Sequence, residues 1–161
     1  MGTSDEIEAL YRQYSAMVYA YLLSMCRNRH VAEDILQSTF LQVIKGITGF
    51  RGDSSVKTWI FTIARNEYFR WLRRNPPVVP LDESMPVQGD LAGDYQEKEQ
   101  IRAVFRYLDL LEEPLRSLMY FRIFGGLSFR ETAAMLGKTE VWCRVNFMRC
   151  KNRLLEQLEE E

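Results

Sequence analysis

LSFRETAAMLGKTEVWCRVNFMRCKNRLL, residues 127–155, is the stretch on which the reading of this chain turns. Ser128 and Glu131 form S-x-x-E, a capping box that starts a short helix. Ala133 is small where a second helix must pass closely. Leu136 closes the apolar side, and Gly137 supplies the positive φ that ends the helix. Thr139 is placed to cap the next helix. There Cys143, Phe147, Cys150 and Leu154 recur at i, i+4, i+7 and i+11, one buried stripe. Trp142, Arg144, Val145, Met148 and Arg149 are left on or near the exposed side. A short helix, a tight turn and a longer basic helix make the helix-turn-helix plan, whose second helix enters the DNA major groove. An arginine there can pair two-pronged with guanine. A plain αα-hairpin is the competing reading, and the capped start, the small-residue placement and the basic exposed side weigh against it.

The phrase Gly126-Leu127-Ser128, Glu131-x-Ala133, Leu136-Gly137, Thr139-Glu140, then Arg144 and Arg149, resembles the sigma4 domain of extracytoplasmic-function sigma factors. Leu108–Phe124, with its Leu111-Glu112-Glu113-Pro114 turn, is similar to the lead-in helix of that domain. The resemblance implies reading of the promoter −35 element. By position, Arg144, Val145, Met148 and Arg149 would face the groove, with Thr139 and Lys151 near phosphates. Val141-Trp142-Cys143 and Lys138 depart from the common pattern.

A helix-turn-helix alone does not separate a sigma factor from an autonomous transcriptional regulator. Residues 31–74 do. Ala32-Glu33-Asp34-x-x-Gln37-x-x-Phe40-x-x-Val43 sets Asp34, Gln37 and Leu41 on neighbouring turns, flanked by Phe40 and Val43. That polar-plus-aromatic face resembles the sigma2 segment that binds the polymerase beta-prime coiled coil, which makes Asp34, Gln37, Phe40 and Leu41 the expected docking residues. Phe50-Arg51-Gly52-Asp53-Ser54-Ser55 then reads as a loop, with Ser54 or Ser55 able to cap the helix that follows. On that helix Ile60, Ile63, Ala64 and Trp71 suit a core, while Thr62, Arg65, Phe69 and Arg73 fall on the other side. Cations interleaved with rings suit single-stranded nucleic acid, since phosphates meet the charges and unstacked bases meet the rings. Solvated arginines are the plainer alternative. Phe50-Arg51-Gly52, Thr58-Trp59 and Ile63-Ala64-Arg65-Asn66 closely resemble the sigma2 phrase that recognises and melts the −10 element. The resemblance implies that Phe50, Arg51, Gly52, Asp53 and Ser54 pocket a flipped-out base. Lys57, Trp59, Arg65, Asn66 and Arg73 would touch the strand, with Trp59 partly core. Arg70 stands where many members carry Asp.

Working outward, helical periodicity covers about 5–27, 30–47, 55–74, 96–111, 114–124, 128–136 and 139–158. Between 75 and 95 the composition shifts: four of the five prolines, with glycines and acids, disfavour a packed element. The expected fold is therefore all-α. Two small helical domains, a sigma2-like bundle over 1–75 and a sigma4-like helix-turn-helix over 96–161, are joined by a flexible linker, 76–95.

The net charge of −1 conceals blocks. Residues 51–75 sum to +4, 76–100 to −5, 127–154 to +4 and 155–161 to −4. Two basic segments either side of an acidic one suit two anion-binding faces, although solvated helix faces would look the same. Cys26, Cys143 and Cys150 are scattered and His30 is the only histidine, so buried reduced thiols are expected, with no metal and no cofactor. With one histidine, no nucleophile motif and no glycine-rich phosphate loop, the chain does not read as an enzyme. The acidic N-terminus lacks a signal pattern and no apolar run suits a bilayer, so a cytoplasmic protein without membrane insertion is expected. The resemblance, which covers about residues 5–158, implies a subunit that directs RNA polymerase to promoters, in a stress or envelope response. Its implied partners are core polymerase (beta-prime coiled coil and beta subunit), promoter DNA and an anti-sigma factor.

Overall fold

A computed structural model describes residues 3–50, 52, 55–76 and 95–160. All the regular structure described is helical. The order is α1 (Thr3–Cys26), α2 (Arg29–Gly46), a 3-10 turn (Ile47–Gly49), α3 (Val56–Arg74), α4 (Tyr95–Leu110), α5 (Leu115–Ile123), α6 (Phe129–Leu136) and α7 (Glu140–Glu160). Every end lies within two residues of the place the apolar period puts it. The chain divides into two compact units, Met1–Leu81 and Asp82–Glu161. The expected linker, apart from Pro76 and Tyr95, lies outside the described residues.

In the first unit α1, α2 and α3 pack on one another. Val18, Tyr21, Leu22 and Met25 of α1, Ile35, Phe40 and Val43 of α2, and Ile60, Phe61 and Ala64 of α3 are buried where these helices pack. Tyr21 and Phe61 meet edge to face at 5.8 Å. Each fully buried side chain of this size is worth about 1.5–3 kcal/mol relative to exposure. The turns are set locally. Asn28 Oδ1 accepts from the Val31 amide at 3.1 Å to start α2, and Ser55 Oγ accepts from the Thr58 amide at 3.0 Å to start α3. Of the two serines that suit this cap, Ser55 takes the role.

In the second unit α7 lies against α4, α5 and α6. Leu118, Ala133 and Cys143 form a buried cluster, with Leu115, Phe129, Leu136, Trp142 and Phe147 packed around it. The small Ala133 lets α6 and α7 approach here. The Ser128–Glu131 capping box is present in both directions, at 3.0 and 2.9 Å. Gly137 ends α6 at φ 66°, a left-handed conformation open to glycine at little cost. Thr139 Oγ1 then accepts from the Trp142 amide at 3.0 Å, which caps α7.

Candidate nucleic-acid interfaces and docking face

The second helix of the helix-turn-helix, α7, buries Cys143, Cys150 and Leu154. Its opposite side is therefore free. Val141, Val145, Met148 and Leu155, at i, i+4, i+7 and i+14, run down the middle of that side and are 69, 42, 51 and 48 % exposed. Arg144 and Lys151 border this strip on one side and Arg149 on the other, and all three are exposed. Arg144 bonds Glu140 at 2.9 Å along the helix, and its guanidinium lies 4.8 Å from the Phe129 ring centre. Both partners of that ion pair are exposed, so it is weak and open to exchange for phosphate. Thr139 is occupied as a cap, with its side chain at the exposed start of the helix. Trp142 turns inward, half-buried against the Leu118–Cys143 cluster, with Lys138 Nζ 5.1 Å from its ring. Its place is among packing residues. Val141, the most exposed of the apolar strip, was absent from the expected set; its i, i+4 relation to Val145 was the available signal.

The α3 face is built differently. Phe50, just after the 3-10 turn, meets Trp59 at 5.0 Å between ring centres. Trp59 in turn lies so close to α2 that a Cβ on Gly46 would come within 3.0 Å of its ring. The glycine lets the indole settle against α2 and the Phe50 ring, half-buried. Gly52 is exposed with φ 77°, while Arg51, Asp53 and Ser54 lie outside the described residues. Further along, Thr62, Asn66 and Arg73 are exposed, and Lys57 and Arg65 are half-buried. The Arg65 guanidinium sits 5.1 Å from the Phe69 ring centre. The spacing 62, 65–66, 69 and 73 places these groups on one side of α3, so cation and ring alternate as expected.

On α2 the residues expected to dock polymerase separate. Asp34, Gln37 and Leu41 are exposed, Leu41 at 56 %. Phe40 is not on that face: it is 6 % exposed and meets Tyr11 of α1 edge-on at 5.0 Å. The turn between Gln37 and Leu41 points into the bundle, which a sequence pattern with two apolar flanks does not settle. Ile44, three residues beyond Leu41, is 48 % exposed and continues the exposed side of α2. Next to this face, Asp34 and Ser38 of α2 and Glu67, Arg70, Trp71 and Arg74 of α3 line a groove of about 180 Å³. Arg70, about half-exposed, pairs with the nearly buried Glu67 at 3.6 Å on the edge of this groove.

The three thiols are buried. Burial pushes the Cys26, Cys143 and Cys150 thiols above the ordinary value. Among the described residues no helix is long and apolar enough to cross a membrane.

Known proteins match this arrangement. Residues 10–76 match the family model described as Sigma-70 region 2. The RNA polymerase sigma factor YlaC of Bacillus subtilis is 32 % identical over 144 residues, which cover 85 % of this chain and 83 % of YlaC. The ECF RNA polymerase sigma factor SigM of the same organism is 26 % identical over 151 residues, 92 % of each chain. Among solved structures, the sigma factor RpoE in complex with the anti-sigma factor NepR from Bartonella quintana aligns with a TM-score of 0.74. That alignment covers 96 % of this chain and 97 % of RpoE at 22 % identity, a likeness of fold. A capped helix-turn-helix, a helix of alternating cations and rings, and this degree of relatedness lead to one family: the chain belongs to the extracytoplasmic-function RNA polymerase sigma factors.

Proposed function

We propose that this chain is a promoter-specificity subunit that directs bacterial RNA polymerase core to its start sites and performs no covalent chemistry of its own. The observation that carries this reading is the presence, in one chain, of the α3 cation-and-ring face and the α6–α7 helix-turn-helix. A duplex reader needs only the second. A protein that also opens the duplex needs the first.

In this reading core polymerase docks on Asp34, Gln37 and Leu41, with Ile44 in place of Phe40. Phe50 to Ser54, Lys57, Trp59, Arg65, Asn66 and Arg73 hold the melted −10 strand. Thr139, Arg144, Val145, Met148, Arg149 and Lys151 serve the −35 duplex. The domains divide at the 76–95 linker, so that two modest sites reinforce each other through effective concentration. The protein acts in the cytoplasm, in a stress or envelope response, under an anti-sigma factor. The RpoE–NepR complex supports that last partner by analogy of fold.

Run-off transcription with sigma-free core polymerase tests the proposal. A start-site-specific transcript that depends on this protein is expected. Specific duplex binding by the free protein, with no such transcript on promoters selected for binding, would identify an autonomous helix-turn-helix regulator instead.

A further inference from the structure

The exposed side of α7 has an unusual distribution for a surface that meets DNA. Its cations stand at the margins, and over the first nine residues of the helix its middle is apolar, Val141, Val145 and Met148, with exposed Asn152 in the middle one turn further on. In a helix-turn-helix the N-terminal part of the second helix reaches the base edges, and the flanks face the backbones. Arg144 and Lys151 on one flank and Arg149 on the other suit phosphate walls. The middle of the strip then meets the groove floor, where the base edges present donors, acceptors and one apolar group, the thymine C5-methyl. Valine and methionine have no donor with which to satisfy guanine or adenine. Seated over those edges they would desolvate polar atoms without replacing the lost hydrogen bonds. Seated over a methyl they remove apolar surface from water on both sides.

We infer that Val145 and Met148 set upstream specificity by selecting thymine methyl groups on the major-groove floor, while the arginines at the margins supply affinity that does not depend on sequence. This rests on the −35 reading of α7 above and names the chemical group that reading leaves open. The occupant is duplex DNA and not a protein partner because the strip is edged by cations on both sides.

The test uses holoenzyme reconstituted with core polymerase and a promoter recovered by that holoenzyme from a pool randomised over both elements. Each upstream thymine is then replaced, one at a time, by uracil, which removes the methyl and keeps the base pair. At one or two positions the run-off transcript should fall about fourfold, the equivalent of about 0.8 kcal/mol for one buried methyl-sized group. With Val145→Ala or Met148→Ala the thymine template should already be weakened, and uracil at the matching position should cost nothing more. Both side chains are on the surface, and circular dichroism of the variants checks the fold. Full transcription from every uracil template by the unsubstituted protein overturns the inference and leaves the sigma reading intact. Equal uracil sensitivity in protein and variants also overturns it, because other groups then read the methyl. Absence of any specific transcript from the thymine template overturns both.

Discussion

Truncating Phe40 removes a ring that is almost wholly buried between α1 and α2 and in edge contact with Tyr11. Phe40→Ala is therefore expected to cost about 3–5 kcal/mol of unfolding free energy in a urea titration. Leu41→Ala, one residue on and 56 % exposed, should change stability by less than about 0.5 kcal/mol and yet weaken binding to core polymerase. The contrast separates neighbouring residues that a period of three or four leaves side by side. The thiols give a second prediction at this scale. Burial raises Cys26, Cys143 and Cys150, so each stays protonated in the folded protein where the unfolded chain ionises. Their contribution is complete below the ordinary thiol value of about 9 and is lost as pH rises past it. Melting temperature should drop as pH rises past about 9, and the drop should shrink when the three cysteines are replaced by alanine, after correction for the alanine protein's own baseline.

Within single elements, local chemistry governs. Ser128 holds the Glu131 amide and Glu131 returns the bond to the Ser128 amide, so Ser128→Ala should cost about 1 kcal/mol. Gly137→Ala forces a side chain into φ 66° and should cost about 1–2 kcal/mol, although open space surrounds the position. Both losses are measurable as lower denaturation midpoints. Both features were legible in the sequence, because a cap and a left-handed turn involve residues no more than four apart. The same holds for Thr139, which bonds the amide three residues on. Trp142 was not legible in this way. Its angular position lies between the buried and exposed sides of α7, and only the presence of the Leu118–Cys143 cluster beside it decides that the indole turns inward.

For the whole molecule, the two compact units and the −5 charge of residues 76–100 lead to a prediction about the connection between them. Doubling the 76–95 segment with a glycine-serine insert is expected to lower promoter affinity of the holoenzyme about threefold, through the −3/2 power of linker length. No change of start site should accompany it, and the pair of measurements separates tethering from promoter recognition.

Sequence alone determined the helical course of this chain, its caps, the glycine turn of the helix-turn-helix and the alternation of cations and rings on α3. These depend on spacings of two to four residues, and backbone geometry converts such spacings directly into faces. Tertiary structure alone decided which faces remain available. Phe40 went to the core and Ile44 to the surface, Arg70 became the partner of the nearly buried Glu67, and α7 was left with an apolar strip between cationic margins. Each of these outcomes depends on which helix packs against which side, a contact between residues distant in the chain that no local period encodes.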